Sequence, residues 1–378
     1  MSNAVIQRAA GRAAGVAGEN TVPATPTGAP RRRDRRQERS LERGNRARAG
    51  LWAGIFAALL FVSLVTAICV GPADISPGDV WNTVLAKLGF AESTLSLRAE
   101  AIIWELRVPR VLVAATVGSG LALVGVIMQA ITRNSLADPY LLGLSSGASL
   151  GAVAVLVIGA SLALPFAAFL GGALALAATL AIASASGQFG AAKVVLAGVA
   201  VSAIASAITS LVIFWSATGD SFREILNWML GSFAGANWSA VAIALGAMLL
   251  IGTPLLTTAQ TLNAYTFGDI SAASLGINAT RTRWMLLLAC ALLTSSLVSV
   301  SGSIGFVGLV MPHAVRLLVG NDHRNILPLS ALAGAVFMVW ADTAARTLFD
   351  PRELPVGIVT AIVGAPIFAL ILMRKRAA

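Results

Sequence analysis

The sequence predicts an all-α polytopic membrane protein of about ten transmembrane helices, with short external and cytoplasmic helices between them. Three observations carry that prediction. Hydrophobic residues make up 57% of the 378 residues and charged residues only 12%, so most helical surface must face lipid or another helix. Apolar runs of about 20 residues, the length that crosses a ~30 Å hydrocarbon core, recur along the chain. Short polar turns such as Arg133-Asn134-Ser135-Leu136-Ala137-Asp138-Pro139 separate them.

In chain order, residues 1–49 hold Arg31, Arg32, Arg33, Arg35, Arg36, Arg39, Arg43, Arg46 and Arg48 amid Ala, Gly and Pro. With so little to bury, this stretch reads as a disordered basic cytoplasmic tail. The first span is expected at 51–70; the run is as long as a full span and lacks a signal-peptide layout. Ile75 to Phe90 places Val80, Val84, Leu85 and Leu88 at helical spacing and reads as an external amphipathic helix. Spans follow at 108–131, 140–159, 162–184, 193–215 and 239–259. Leu262 to Trp284 then interrupts the apolar pattern. Within it, Gly268-Asp269 starts a short helix and Gly276 ends it, leaving Ala272, Ala273 and Leu275 as a small apolar surface. Further spans are expected at 284–301, 304–320, 326–346 and 355–373, so residues 50–376 form one transmembrane domain. Pro165, Pro254, Pro312 and Pro366 fall at or within spans, where neighbouring helices must satisfy freed backbone groups.

An even number of spans puts both termini on one side. The arginine tail and Arg374-Lys375-Arg376 assign that side to the cytoplasm, the tail supplying most of the bias. Arg98, Arg107 and Arg110 form a basic group on the outer side. The net charge of +10 does not indicate nucleic acid, because the cations cluster in the tail and in short loops. Cys69 and Cys290 lie in apolar runs, which suits small hydrophobes and excludes a disulfide framework. His313 and His323 lack neighbouring ligands, so no metal site is expected.

Gly143, Gly147 and Gly151 recur every four residues and share one helix face, a packing stripe that is also a candidate wall of a passage. Gly143-Leu144-Ser145-Ser146-Gly147 matches the nucleophile-elbow pattern, but no strand, acid or histidine accompanies it, so an intramembrane hydrolase is rejected. The chain contains no phosphate-binding loop, so any ATPase must be a separate subunit. Ion-coupled secondary transport would favour a carboxylate in the middle of a span, and none stands there. Asp342 lies near a span end with Arg346 one turn later, the spacing of a local ion pair.

Five ordered blocks resemble one known family: LRVPR (106–110), MQAITRNSLADPYLLGLSSGASLG (128–151), GDISAASLGIN (268–278), SGSIGFVGLVMPHAVRLLVGNDHRN (301–325) and ELPVGIVTAIVGAPIFALIL (353–372). They are similar to the FecCD permease subunits of ABC importers for ferric siderophores, haem and cobalamin. Ser135 stands where the family usually has Pro. The resemblance implies a multi-pass protein of the bacterial cytoplasmic membrane, not itself an enzyme. It implies pairing with a second copy or close relative around a central path, two ATPase subunits and an extracytoplasmic binding protein. It also implies no cofactor on this chain, ATP being held by the partners, and alternating access as the mechanism. Ferric siderophore is the expected cargo, with haem and cobalamin as alternatives. By the same resemblance Arg107, Arg110, Arg346 and Arg352 dock the binding protein, and Asp269, Ala272, Ala273, Leu275, Gly276 and Ile277 couple to the ATPase within a segment of about 262–284. Gly143, Gly147, Gly151, Ser202, Ser206, Ser210, Ser301 and Gly305 are the candidate path residues.

Overall fold

The computed structural model describes residues 32–71, 73–92, 95–160, 163–185, 191–216 and 219–375. Two compact units emerge, Met1–Arg46 and Ala47–Ala378. The described part of the first is helical: α1 runs Arg32–Cys69. Arg, Glu, Gln, Leu and Ala are good helix formers, and once a helix is nucleated it propagates through them at little cost. Residues 1–31 lie outside the described residues.

Within the second unit, α2 (Pro77–Lys87) is the expected amphipathic helix, started by a reciprocal capping box between Ser76 and Asp79. The backbone and hydroxyl of Ser76 donate to and orient the Asp79 carboxylate, holding it below its ordinary range. Val80 is buried, but Leu88 caps the helix and is exposed. Next, α3 (Leu97–Ala101) continues through a π-turn at Ile102–Arg107 into α4 (Val108–Thr132). Arg98, Arg107 and Arg110 thus belong to one continuous helical stretch rather than to a loop. A 3-10 turn at Pro139–Leu142 leads to α5 (Leu144–Ile158), followed by α6 (Leu164–Ala185), α7 (Ala191–Ser216) and α8 (Gly219–Met229).

From α9 (Trp238–Ala247) the chain passes a second π-turn, Met248–Gly252, into α10 (Thr253–Leu256). The turn lies just before Pro254, whose missing N–H and ring disrupt regular bonding one turn upstream. Then come α11 (Ala259–Thr266), α12 (Asp269–Ser274), α13 (Ala279–Ser301), α14 (Val307–Val319), α15 (His323–Thr347) and α16 (Val356–Lys375). No strand occurs among the described residues. Among the described residues seven helices are long and apolar enough to cross a membrane, and three shorter apolar helices, Leu144–Ile158, Val307–Val319 and Val356–Ile371, complete the correspondence with the ten expected runs.

Two helices form the centre. Most of α4 is buried, and α15 packs along it with Gly118 against the Gly334 backbone. Further along, Gly125 meets the Gly308 backbone at the start of α14. In lipid, helices gain little hydrophobic drive to associate, so close backbone approach at small residues supplies the attraction. The outermost helices carry the exposed apolar side chains, Leu211, Phe214 and Trp215 on α7 among them.

Candidate functional site

The candidate residues gather at three depths: the end of the bundle near Arg107, the middle, and the opposite end near Arg133. At the Arg107 end, the side chains are turned inwards. Arg107 is 7% exposed and donates to the carbonyls of Ile68 (2.8 Å), Cys69 (2.9 Å) and Ala73 (3.0 Å), closing the C-terminus of α1. Arg346 donates to Val70 O (2.9 Å) and to Ala67 O, finishing the same cap. A helix C-terminus carries partial negative charge, so two guanidiniums are favourable there.

Arg110 forms a fork on Asp342, with Nε to Oδ2 at 2.9 Å and Nη2 to Oδ1 at 2.9 Å, while its Nη1 reaches Glu353 at 2.9 Å. The side chain of Asp342 is 2% exposed and that of Glu353 is 45% exposed. The expected Asp342–Arg346 pair exists only as a 3.9 Å contact, because Arg110, 232 positions away, takes the short one. Of the four arginines expected to dock a partner, Arg107 and Arg346 cap α1, Arg110 is paired, and Arg352 is exposed beside Asp350 and Glu353. A cavity of ≈ 400 Å³ opens there, lined by Gly71, Arg107, Arg110, Arg346, Asp350 and Glu353 among others.

In the middle, Gly302 to Phe306 is unwound between α13 and α14. Buried non-helical backbone needs partners, and Tyr140 supplies them by donating from its hydroxyl to Ile304 O (3.0 Å) and accepting from Ile304 N (3.1 Å). Ser145 Oγ and Ser303 Oγ lie 2.6 Å apart, which is the observed role of the serine in the elbow-like motif. Ser206 Oγ reaches Ser146 Oγ at 3.3 Å. These hydroxyls line a polar seam between α5, α7 and the unwound segment. Gly305 is half-buried with open space where a side chain would stand.

Of the candidate path residues, Gly147 and Gly151 lie against α6 at the floor of an apolar groove of ≈ 530 Å³ between α5, α6 and α7. A Cβ on either would strike the α6 backbone at Gly171 or Ala167, so the stripe is consumed by α5–α6 packing. Gly143 packs on α7 beside Gly198 and Val201. Ser301 is buried, its hydroxyl donating to Leu297 O at 2.9 Å. Ser202 is half-buried, and Ser206 and Ser210 are exposed on α7.

At the Arg133 end, α12 forms as expected, entered through Gly268 (φ 105°) and left through Gly276 (φ 80°), conformations that only glycine adopts without strain. Ala273, Leu275 and Gly276 are exposed and Ile277 is half-buried. Ala272 is the exception to the expected apolar surface: it is fully buried, and Phe267, 79% exposed, takes its place outside. The side chain of Asp269 lies outside the described residues. Alongside runs a crevice of ≈ 760 Å³ lined by Gln129, Arg133, Asn263, Arg316, Asp322 and His323 among others. Asn263 Oδ1 accepts from His323 N (3.0 Å), and Asn263 Nδ2 donates to Asp322 Oδ1 (2.7 Å), tying α11 to the start of α15. Partial burial pushes the Asp322 carboxyl up, but the hydrogen bonds from Asn263 and the Arg324 backbone, with the Arg324 charge, outweigh it and hold the group below its ordinary range.

Among the described residues no group of three His, Cys, Asp or Glu side chains could hold a metal ion. Two features escaped the sequence: α8, hidden between apolar runs, and the unwinding at Gly302–Phe306, for which two closely spaced glycines before Pro312 were the available signal.

The family model described as the FecCD transport family matches residues 59–374. The chain belongs to the FecCD transport family. Similar proteins include the uncharacterized ABC transporter permease protein YvrB of Bacillus subtilis (strain 168), 44% identical, with 72% of this chain and 79% of YvrB aligned. The cobalamin import system permease protein BtuC of Halobacterium salinarum is 36% identical, with 87% and 97% aligned. The hemin transport system permease protein HmuU of Yersinia pestis is 38% identical, with 88% and 98% aligned. A solved structure described as an inward-facing conformation of a metal-chelate type ABC transporter superposes with a TM-score of 0.76 at 32% identity, covering 85% of this chain and 98% of the other. This FecCD chain is thus the membrane-spanning permease subunit of an ABC transporter and not an enzyme. As in any such transporter, the ATPase resides on partner subunits.

Proposed function

We propose that the chain imports a metal chelate across the bacterial cytoplasmic membrane by alternating access, with ferric siderophore as its cargo. The family match over residues 59–374 carries this reading. In the proposed orientation both termini and the Arg133 end face the cytoplasm, supported by Arg133, Arg281, Arg283 and Arg324 around that end. Two ATPase subunits press on α12, whose exposed Leu275 and neighbouring Phe267 offer an apolar knob. The binding protein meets the outer end at Arg352 and the exposed edge of the Arg110–Glu353 pair. Two copies of the chain enclose the path, with Ser202, Ser206 and Ser210 of α7 and the segment around Gly305 facing it. Neutral hydroxyls and open glycines suit a wide, weakly binding passage, because a tight site would retain the cargo. The path needs no cofactor. Haem and cobalamin remain as second cargoes because HmuU and BtuC are named for them.

Uptake into proteoliposomes holding the chain, its ATPase and its binding protein separates these cargoes. ATP-dependent accumulation of a ferric siderophore is the expected outcome. Accumulation of haem or cobalamin instead reassigns the cargo, and ATP-independent uptake driven by an ion gradient overturns the importer mechanism.

A further inference from the structure

We infer that the crevice beside α12 receives an acidic side chain of the ATPase subunit and that Arg316 is its anchor. The inference rests on the proposed orientation, which places this end against the ATPase. Arg316 stands on the last turn of α14 with its side chain half-buried. Its Nη1 donates to the neutral Gln129 Oε1 at 2.5 Å, and Gln129 Nε2 in turn donates to Gly308 O at 3.2 Å. No carboxylate of the described chain pairs with Arg316.

The one carboxylate lining the crevice, Asp322, is already engaged by Asn263 Nδ2 (2.7 Å) and Arg324 N (3.0 Å). Arg316 thus faces the crevice in a partly desolvated setting with no carboxylate of the described residues paired to it, where a carboxylate fits better than a neutral group and gains more than at an open surface. The crevice volume of ≈ 760 Å³ admits a side chain with its flanking backbone. Phe267, which lines the crevice and is exposed, calls for apolar surface next to that carboxylate. A protein partner offers both groups together, whereas a free phosphate offers only the charge.

The test measures affinity of the purified full-length chain in nanodiscs for its ATPase across a salt series, for the native chain, Arg316→Gln, Arg316→Lys and Gln129→Leu. Arg316→Gln should weaken binding about tenfold and flatten the salt dependence, while Arg316→Lys keeps most of both. Gln129→Leu removes the internal partner but keeps the cation, so it should retain salt-dependent binding. Unchanged affinity and salt slope in Arg316→Gln overturns the inference, as do equal losses in Arg316→Gln and Arg316→Lys at unchanged thermal midpoint. Loss that appears only in nanodiscs with anionic lipid assigns the crevice to a headgroup and also overturns it. Failure of the native chain to bind the ATPase at all condemns the functional reading instead.

Discussion

Asp138 sits in the turn after α4, where its carboxylate accepts the Tyr140 N–H at 2.9 Å and caps the 3-10 turn. Desolvation pushes its pKa up to about 6, the single backbone hydrogen bond offsetting part of that rise. Two residues on, the Tyr140 hydroxyl bridges the Ile304 backbone. A raised carboxylate pKa means the folded chain holds a proton that the unfolded chain releases. Stability therefore falls as pH rises from the ordinary carboxylate value towards about 6 and stays lower above it. Asp138→Asn keeps the accepting oxygen and removes the charge, so it should raise the thermal midpoint at about pH 7.5, by at most roughly 3 kcal/mol, and leave it unchanged near pH 4. Thermal melts of both proteins across that pH range check this; a variant that is less stable at neutral pH would refute it. Arg107 and Arg346 teach a related lesson about residues. Their identity and position near a span end were legible in the sequence, but not that α1's carbonyls would occupy them.

Among elements, the crossing of α4 with α14 depends on Gly125. A Cβ there would overlap the Gly308 carbonyl, carbon and Cα, and backbone cannot move aside as a flexible side chain can. Gly125→Val should therefore cost roughly 1–3 kcal/mol or more and displace Gln129 from Gly308 O. Gly246→Ala in α9, with nothing within 4 Å of the added methyl, should be neutral or stabilising by up to about 1 kcal/mol. Midpoints of the two variants in one detergent make the comparison, and equal losses would show that close packing at Gly125 is not what matters. The stripe Gly143, Gly147 and Gly151 shows what periodicity conveys. It announced a close-packed face, yet the facing helix, α6, follows from geometry and not from spacing. The short helix α12 was legible at both ends because Gly268 and Gly276 must take positive φ, whereas burial of Ala272 was not, since a one-sided turn of helix offers too few residues for a period to register.

For the whole molecule, the exposed face of α7 decides where the path runs. Ser206 and Ser210 stand there among Ile204, Ile208 and Leu211, so the face meets either lipid or a water-filled passage between two copies. Ser206→Cys in a variant lacking Cys69 and Cys290 should react with a hydrophilic, membrane-impermeant maleimide when the transporter turns over, because thiolates form only in water. Absence of labelling with intact uptake would place α7 in lipid and remove it from the path. The sequence by itself determined the ten apolar runs, the short helix α12 and the family, because each is written in contiguous residues: an apolar length, a glycine at a required φ, an ordered motif. Tertiary structure alone decided that Arg110 pairs with Asp342 across 232 positions, that Arg107 and Arg346 close α1, and that Tyr140 holds an unwound segment in the middle of the bundle. Such pairings satisfy charges and backbone groups where water is excluded, and which distant partner satisfies them is set by how the helices pack.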